Sequence, residues 1–251
     1  MLLTAFCAWG VGLIAPHASA SAVLTYNTSI PNPPTCIVGT GCVNSNFTDL
    51  KVTNSDGSFI ELDLSAILAY LGPIAPVTDT YTAPTGLGSH DRATWDLEYE
   101  VYTGCSNGNG VCTTPGVVSA NTYNLTIFDT TTGQSTSFDP SAIPDNNCYT
   151  TASAVINGNC SGLSNVNAFG NAESPSFAFL ATPLKFNPNA TDQYQITLSA
   201  TPKNGAVADP SVTIFVDAAG NVVAPEPGTF LMIGGGLIGL GLVNRRRLAR
   251  R

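Results

Sequence analysis

Trp95-Asp96-Leu97-Glu98-Tyr99-Glu100-Val101-Tyr102 is the stretch that decides how this chain folds. Strict alternation places Trp95, Leu97, Tyr99 and Val101 on one face of an extended segment and the carboxylates of Asp96, Glu98 and Glu100 on the other, the period-two pattern of a half-buried strand. The same pattern recurs at 123–129, where Tyr123, Leu125 and Ile127 share a face, and at 194–200, where Tyr194, Ile196 and Leu198 do. In 59–64, Phe59 faces away from Ile60, Leu62 and Leu64. Further strands are expected at 176–180 and 212–217, and a short helix over 65–71 that Gly72-Pro73 stops. Between these runs stand the turn signals Asp56-Gly57, Thr132-Gly133, Asn157-Gly158, Asn204-Gly205 and Gly220-Asn221. Strands separated by such turns, without long helical periods, predict an all-β fold: an antiparallel β-sandwich or jelly roll. The stretch 148–174 lacks periodicity and reads as a long loop pinned by a disulfide.

Working outward, the composition limits what this domain contacts. Nine basic residues face seventeen acidic ones, for a net charge of −8. Five of the nine are Arg245, Arg246, Arg247, Arg250 and Arg251, which leaves Lys51, Arg92, Lys185 and Lys203 as the only cations of the central region. A phosphate backbone would find no basic surface there, so nucleic acid is excluded as a partner. Charged residues are 10% of the chain, while Val, Ile, Thr, Phe and Tyr recur in short runs, a composition of folded structure rather than disorder.

Both ends differ from the middle. From Leu2 to Ile14 the chain is almost wholly apolar, and Ala15-Pro16-His17-Ala18-Ser19-Ala20 supplies the small residues spaced A-x-A at which a signal peptidase cuts. Residues 1–20 therefore read as a signal peptide, cleaved after Ala20, or after Ala22 in an overlapping match. No Lys or Arg precedes the apolar run, so the expectation is either a true start upstream of Met1 or an atypical leader. At the other end, residues 229–243 (TFLMIGGGLIGLGLV) carry no charge. As a helix they span roughly 22 Å at about 1.5 Å per residue, short for a hydrocarbon core of about 30 Å but long enough for one transmembrane helix with snorkelling flanks and a thinned bilayer. The arginines after it place the extreme C-terminus in the cytoplasm and the domain 21–224 outside, the orientation the leader also gives.

The order Pro225-Glu226-Pro227, apolar span 229–243, Arg245-Arg246-Arg247 resembles the PEP-CTERM sorting signal of Gram-negative bacteria. The resemblance covers 225–251 and says nothing of the domain before it. It implies exosortase as partner, a membrane-embedded cysteine peptidase or transpeptidase that cleaves near the motif, and a destination at the cell surface or in an extracellular polysaccharide matrix. Two prolines around one glutamate make a stiff extended segment of the kind a peptidase cleft grips.

Export also sets how the cysteines read. Cys7 lies in the leader, leaving Cys36, Cys42, Cys105, Cys112, Cys148 and Cys160, an even set in an oxidising compartment. Fifteen connectivities are formally open. Their grouping into three close couples favours Cys36 with Cys42, Cys105 with Cys112, and Cys148 with Cys160. Zinc is disfavoured: no C-x-x-C occurs, and His90 is the single histidine beyond the leader.

Catalytic patterns are weak. Gly104-Cys105-Ser106-Asn107-Gly108 matches G-x-S-x-G, but no helix is expected after it and His90 precedes it, so a disulfide loop explains it better. Ser89-His90-Asp91 sets triad residue types side by side, whereas a triad converges in space; His90 reads as an exposed loop residue. Asp96, Glu98 and Glu100 follow at roughly 6–7 Å intervals along one strand face. They read as a solvated face that guards a sheet edge, and the sharper alternative is a calcium site. The expected function is a non-enzymatic surface or matrix-associated protein, structural or adhesive. The alternatives are a calcium- or carbohydrate-binding module and, behind them, a secreted hydrolase.

Overall fold

The computed structural model describes residues 20–29, 46–105, 116–150, 155–203 and 209–219. Residues 1–19 of the expected signal peptide 1–20, Cys36, Cys42, Ser106, Cys112, the turns at 204–205 and 220–221 and the whole tail 225–251 lie outside the described residues.

The chain runs through β1 (Ser21–Thr28), β2 (Phe47–Thr53), β3 (Ser58–Leu68), β4 (Gly72–Pro73), β5 (Thr80–Ala83), β6 (Trp95–Cys105), β7 (Asn121–Asp129), β8 (Ser135–Phe138), β9 (Asn147–Thr150), β10 (Val155–Asn157) and β11 (Val166–Glu173). A short helix α1 (Ala178–Leu184) follows, then β12 (Gln193–Pro202) and β13 (Ser211–Ala218). The larger sheet has the order β1-β2-β3-β6-β11-β9-β10, with β4 paired to the end of β3; the smaller is β5-β13-β12-β7-β8. Pairing is antiparallel except between β5 and β13, which run parallel. The all-β, antiparallel expectation is met, and every strand read from alternation is present except the one at 176–180.

The two sheets share one apolar cluster. Leu62, Leu64 and Ala66 of β3 and Leu97, Tyr99 and Val101 of β6 meet Leu125 and Ile127 of β7, Ile196 and Leu198 of β12, and Ile214 and Val216 of β13. Burying each such side chain contributes about 1.5–3 kcal/mol. Trp95 is buried as its alternation requires, with the Tyr194 and Phe186 rings 5.7 and 6.4 Å from its own. Buried tyrosines find partners for their hydroxyls. Tyr99 donates to Asn146 Oδ1 at 2.9 Å, and Tyr81, from the smaller sheet, donates to the Asn46 carbonyl at 2.6 Å and so ties β5 to the start of β2. Turn chemistry is as expected at Gly57, Gly133 and Gly158, whose φ values of 83°, 73° and 145° suit glycine.

Three expectations are corrected. Residues 65–68 are strand, not helix. β3 continues in register with β6 from Ser65↔Glu98 to Leu68↔Trp95, and because Ser65, Ala66 and Ile67 are all buried, no charged residue after Asp63 marks an outer face. The strand expected at 176–180 is instead the start of α1, which buries Leu180 and Leu184 one turn apart, leaves Phe179 exposed, and ends at Lys185 in the left-handed region at φ 51°. The supposed loop 148–174 contains β9, β10 and β11. Its alternation is hidden because β9 is buried along its whole length and β11 turns Asn171 and Glu173 to the side that faces the core, opposite Tyr99 and Leu97.

Candidate functional site

Cross-strand register builds the acidic face of the larger sheet. On the side away from the shared core, Asp49 of β2 stands opposite Asp63 of β3, and Asp63 stands opposite Glu100 of β6. Neighbouring strands lie about 4.8 Å apart, so these carboxylates form a row perpendicular to the strands. The row continues through Gly170 of β11, which has no side chain, to Asn147 of β9. Flanking it, Lys51 is opposite Glu61, and Ser65 is opposite Glu98.

Burial here contradicts the solvated face expected from sequence. Asp63, Glu98 and Glu100 are 0%, 0% and 1% exposed. Glu98 accepts a hydrogen bond from Ser65 Oγ at 2.9 Å, and Glu61 Oε2 pairs with Lys51 Nζ at 2.7 Å. Lys51 Nζ also sits 4.0 Å from the centre of the Phe59 ring, a cation–π contact that fixes its position. Thr25 Oγ1, from β1, donates to Asp49 Oδ2 at 3.0 Å. Asp49 Oδ1 and both oxygens of Asp63 are buried without a hydrogen-bond donor, and so is Asn147 Nδ2 without an acceptor. Burial raises the Asp63 carboxyl well above the usual range, and the charges of Glu100, Asp49 and Glu61 push it further the same way. Asp49 is raised by burial and then by Glu61, against hydrogen bonds from Thr25 and from the protonated Asp63 carboxyl and against the charge of Lys51.

Carboxylate oxygens of Asp49, Glu61 and Asp63 all lie within 4.8 Å of one another, the group of this kind among the described residues. Asp96, Glu98 and Glu100 are not gathered in that way. Glu98 bonds Ser65, Glu100 joins the row beside Asp63, and Asp96 turns to the end of β11, where burial raises its pKa to about 6 against a hydrogen bond from Ser174 and the charge of Arg92. Beside Asp96, Glu173 is pushed up to about 8 by burial and then by Asp145 and Asp96; Asn171 Nδ2 donates to Glu173 Oε1 at 3.0 Å and to Asp145 Oδ1 at 3.1 Å. Sequence reasoning thus missed Asp49, Glu61 and Asp63. Their signal was Asp49-Leu50-Lys51-Val52 and Glu61-Leu62-Asp63-Leu64, where charged and apolar residues alternate as in 95–102.

Of the remaining candidates, Cys148 and Cys160 form a disulfide with Cα atoms 5.7 Å apart, joining β9 to the turn that leads into β11. Cys105 is also disulfide-bonded. His90 is exposed, at φ 62° in a short 3-10 turn, with its ring 6.0 Å from that of Tyr70. Among the described residues no helix is long and apolar enough to cross a membrane; the span 229–243 lies outside them.

The tail is where similarity to known proteins is found. Residues 223–247 match the PEP-CTERM protein-sorting motif, enclosing Pro225-Glu226-Pro227, the apolar span and Arg245-Arg246-Arg247. The motif implies an exported chain sorted by exosortase to the cell envelope or surface. No curated protein and no solved structure matches the chain.

Proposed function

We propose that this protein crosses the inner membrane by the general secretory route, loses its leader to signal peptidase, is held transiently by a transmembrane helix at 229–243, and is cut by exosortase near Pro225-Glu226-Pro227. The β-sandwich ectodomain then remains at the cell surface or in the extracellular polysaccharide, with a structural or adhesive role and no catalysis. The match of 223–247 to the sorting motif carries this reading. The order of its parts supports a physical sequence of events: the arginines hold the helix with the domain outside, and the stiff Pro-Glu-Pro segment is presented at the membrane face where a peptidase can grip it. The β-strand that begins at Ser21 is in keeping with leader removal after Ala20, which would leave the N-terminus at the edge of the larger sheet. An exposed His90 held in a short turn, with the Tyr70 ring as its neighbour, favours a non-catalytic role.

Replacing Pro225, Glu226 and Pro227 by alanine in the native host, followed by fractionation, tests the sorting step. The expected outcome is a chain that keeps its tail and accumulates in the inner membrane. Normal release of the variant would refute it.

A further inference from the structure

We propose that Asp49, Glu61 and Asp63 bind a hard divalent cation of the calcium class, which staples β2 to β3 on the acidic face of the larger sheet. Register alone makes the problem that such an ion solves. Two like-charged pairs, Asp49↔Asp63 and Asp63↔Glu100, stand directly opposite one another, an arrangement that destabilises a sheet. Burial makes it worse, because a carboxylate removed from water persists only when it is protonated, hydrogen-bonded or bound to a metal. The nearest fixed cation is already committed, Lys51 to Glu61 Oε2, and the Thr25 hydroxyl serves Asp49 Oδ2. Apart from a proton shared between the two carboxyls themselves, Asp49 Oδ1 and both Asp63 oxygens have no donor, although Asp63 is 0% exposed.

The geometry suits a calcium-sized ion. Calcium–oxygen distances are about 2.3–2.6 Å, so two oxygens on one ion lie no more than about 5 Å apart. One oxygen from each of Asp49, Glu61 and Asp63 falls within 4.8 Å of the other two. An all-oxygen donor set without histidine or thiolate selects calcium or magnesium over zinc or copper. Glu100 adds negative potential from the neighbouring strand, and the Thr25–Asp49 hydrogen bond extends the staple to β1.

The test uses the full-length chain in detergent, comparing thermal unfolding in EDTA with unfolding in calcium chloride. At a hundredfold excess over the dissociation constant, calcium is expected to raise the melting temperature by about 5–10 °C. Asp63→Asn is expected to abolish that rise, as is Asp49→Asn, which provides a second reading if one variant folds poorly. Asp96→Asn, outside the group, is expected to keep it. Amide exchange of β1 and β2 should slow with calcium in the wild type and in Asp96→Asn, and in neither Asp49→Asn nor Asp63→Asn. Equal melting temperatures in EDTA and calcium for the wild type would overturn the proposal, because a proton shared by Asp49 and Asp63 would then suffice. A calcium response that survives in both asparagine variants would overturn it equally.

Discussion

On the inner face of β3 and β6, Leu62 opposes Val101 and Leu64 opposes Tyr99; one residue along the same two strands, Asp63 opposes Glu100 and Ser65 opposes Glu98. Both faces are buried, yet they hold together for opposite reasons. The inner face gains from every side chain that leaves water. The outer face places carboxylates where water is excluded and must find hydroxyls, one lysine, protons or a cation to compensate them. Alternation by two therefore assigns residues to faces correctly but says nothing about what covers a face, and a polar face need not be a wet one.

Substitutions can break this contrast, and the largest effects belong on the inner face. Leu64→Ala is expected to cost about 2–5 kcal/mol in urea unfolding, since it leaves a cavity among fully buried neighbours. A cost below about 1 kcal/mol would mean that the two sheets pack loosely. Next comes the covalent tie. Converting Cys148 and Cys160 to serine opens a loop of sequence separation 12, and the chain-entropy relation gives a loss of about 3 kcal/mol, measurable against the oxidised protein.

Glu173 sharpens the contrast, because it is a carboxylate on the core-facing side. Its pKa rises from 4.5 to about 8 in the folded chain, so the folded state keeps a proton that the unfolded state releases. This contribution is complete below about pH 4.5 and is lost as pH rises toward 8, with a slope of at most about 1.4 kcal/mol per pH unit. Stability is therefore expected to fall from pH 5 to pH 8, and Glu173→Gln should flatten the profile while Asp145, Asp96 and Arg92 remain. A profile that rises over this range would contradict the assignment. The smallest effect has the opposite sign. In EDTA, Asp63→Asn is expected to stabilise the chain by up to about 1 kcal/mol, because it removes the one carboxyl common to both like-charged pairs.

How much of this was legible follows from the same physics. The strands at 59–64, 95–102, 123–129, 194–200 and 212–217 announce themselves because each has an apolar face turned to the shared core and a polar face turned away. β9 and β11 do not, since β9 is buried throughout and β11 puts Asn171 and Glu173 where apolar residues are expected. The end of β3 fails for a related reason: an unbroken apolar run looks helical when both its faces are covered. Carboxylates along β6 were visible one strand at a time. The row Asp49-Asp63-Glu100 was not, because pairing between strands depends on registers that no single segment encodes.

The tail stands apart from both faces. Its meaning lies in the order of three short parts rather than in packing, which is why 223–247 could be matched to a sorting motif although no curated protein or solved structure matches the chain. Intact-mass analysis of the protein isolated from its host tests the central claim most directly. The account predicts a chain that begins at Ser21 or Val23 and ends near Pro227, while a mass that still includes Arg251 would contradict it.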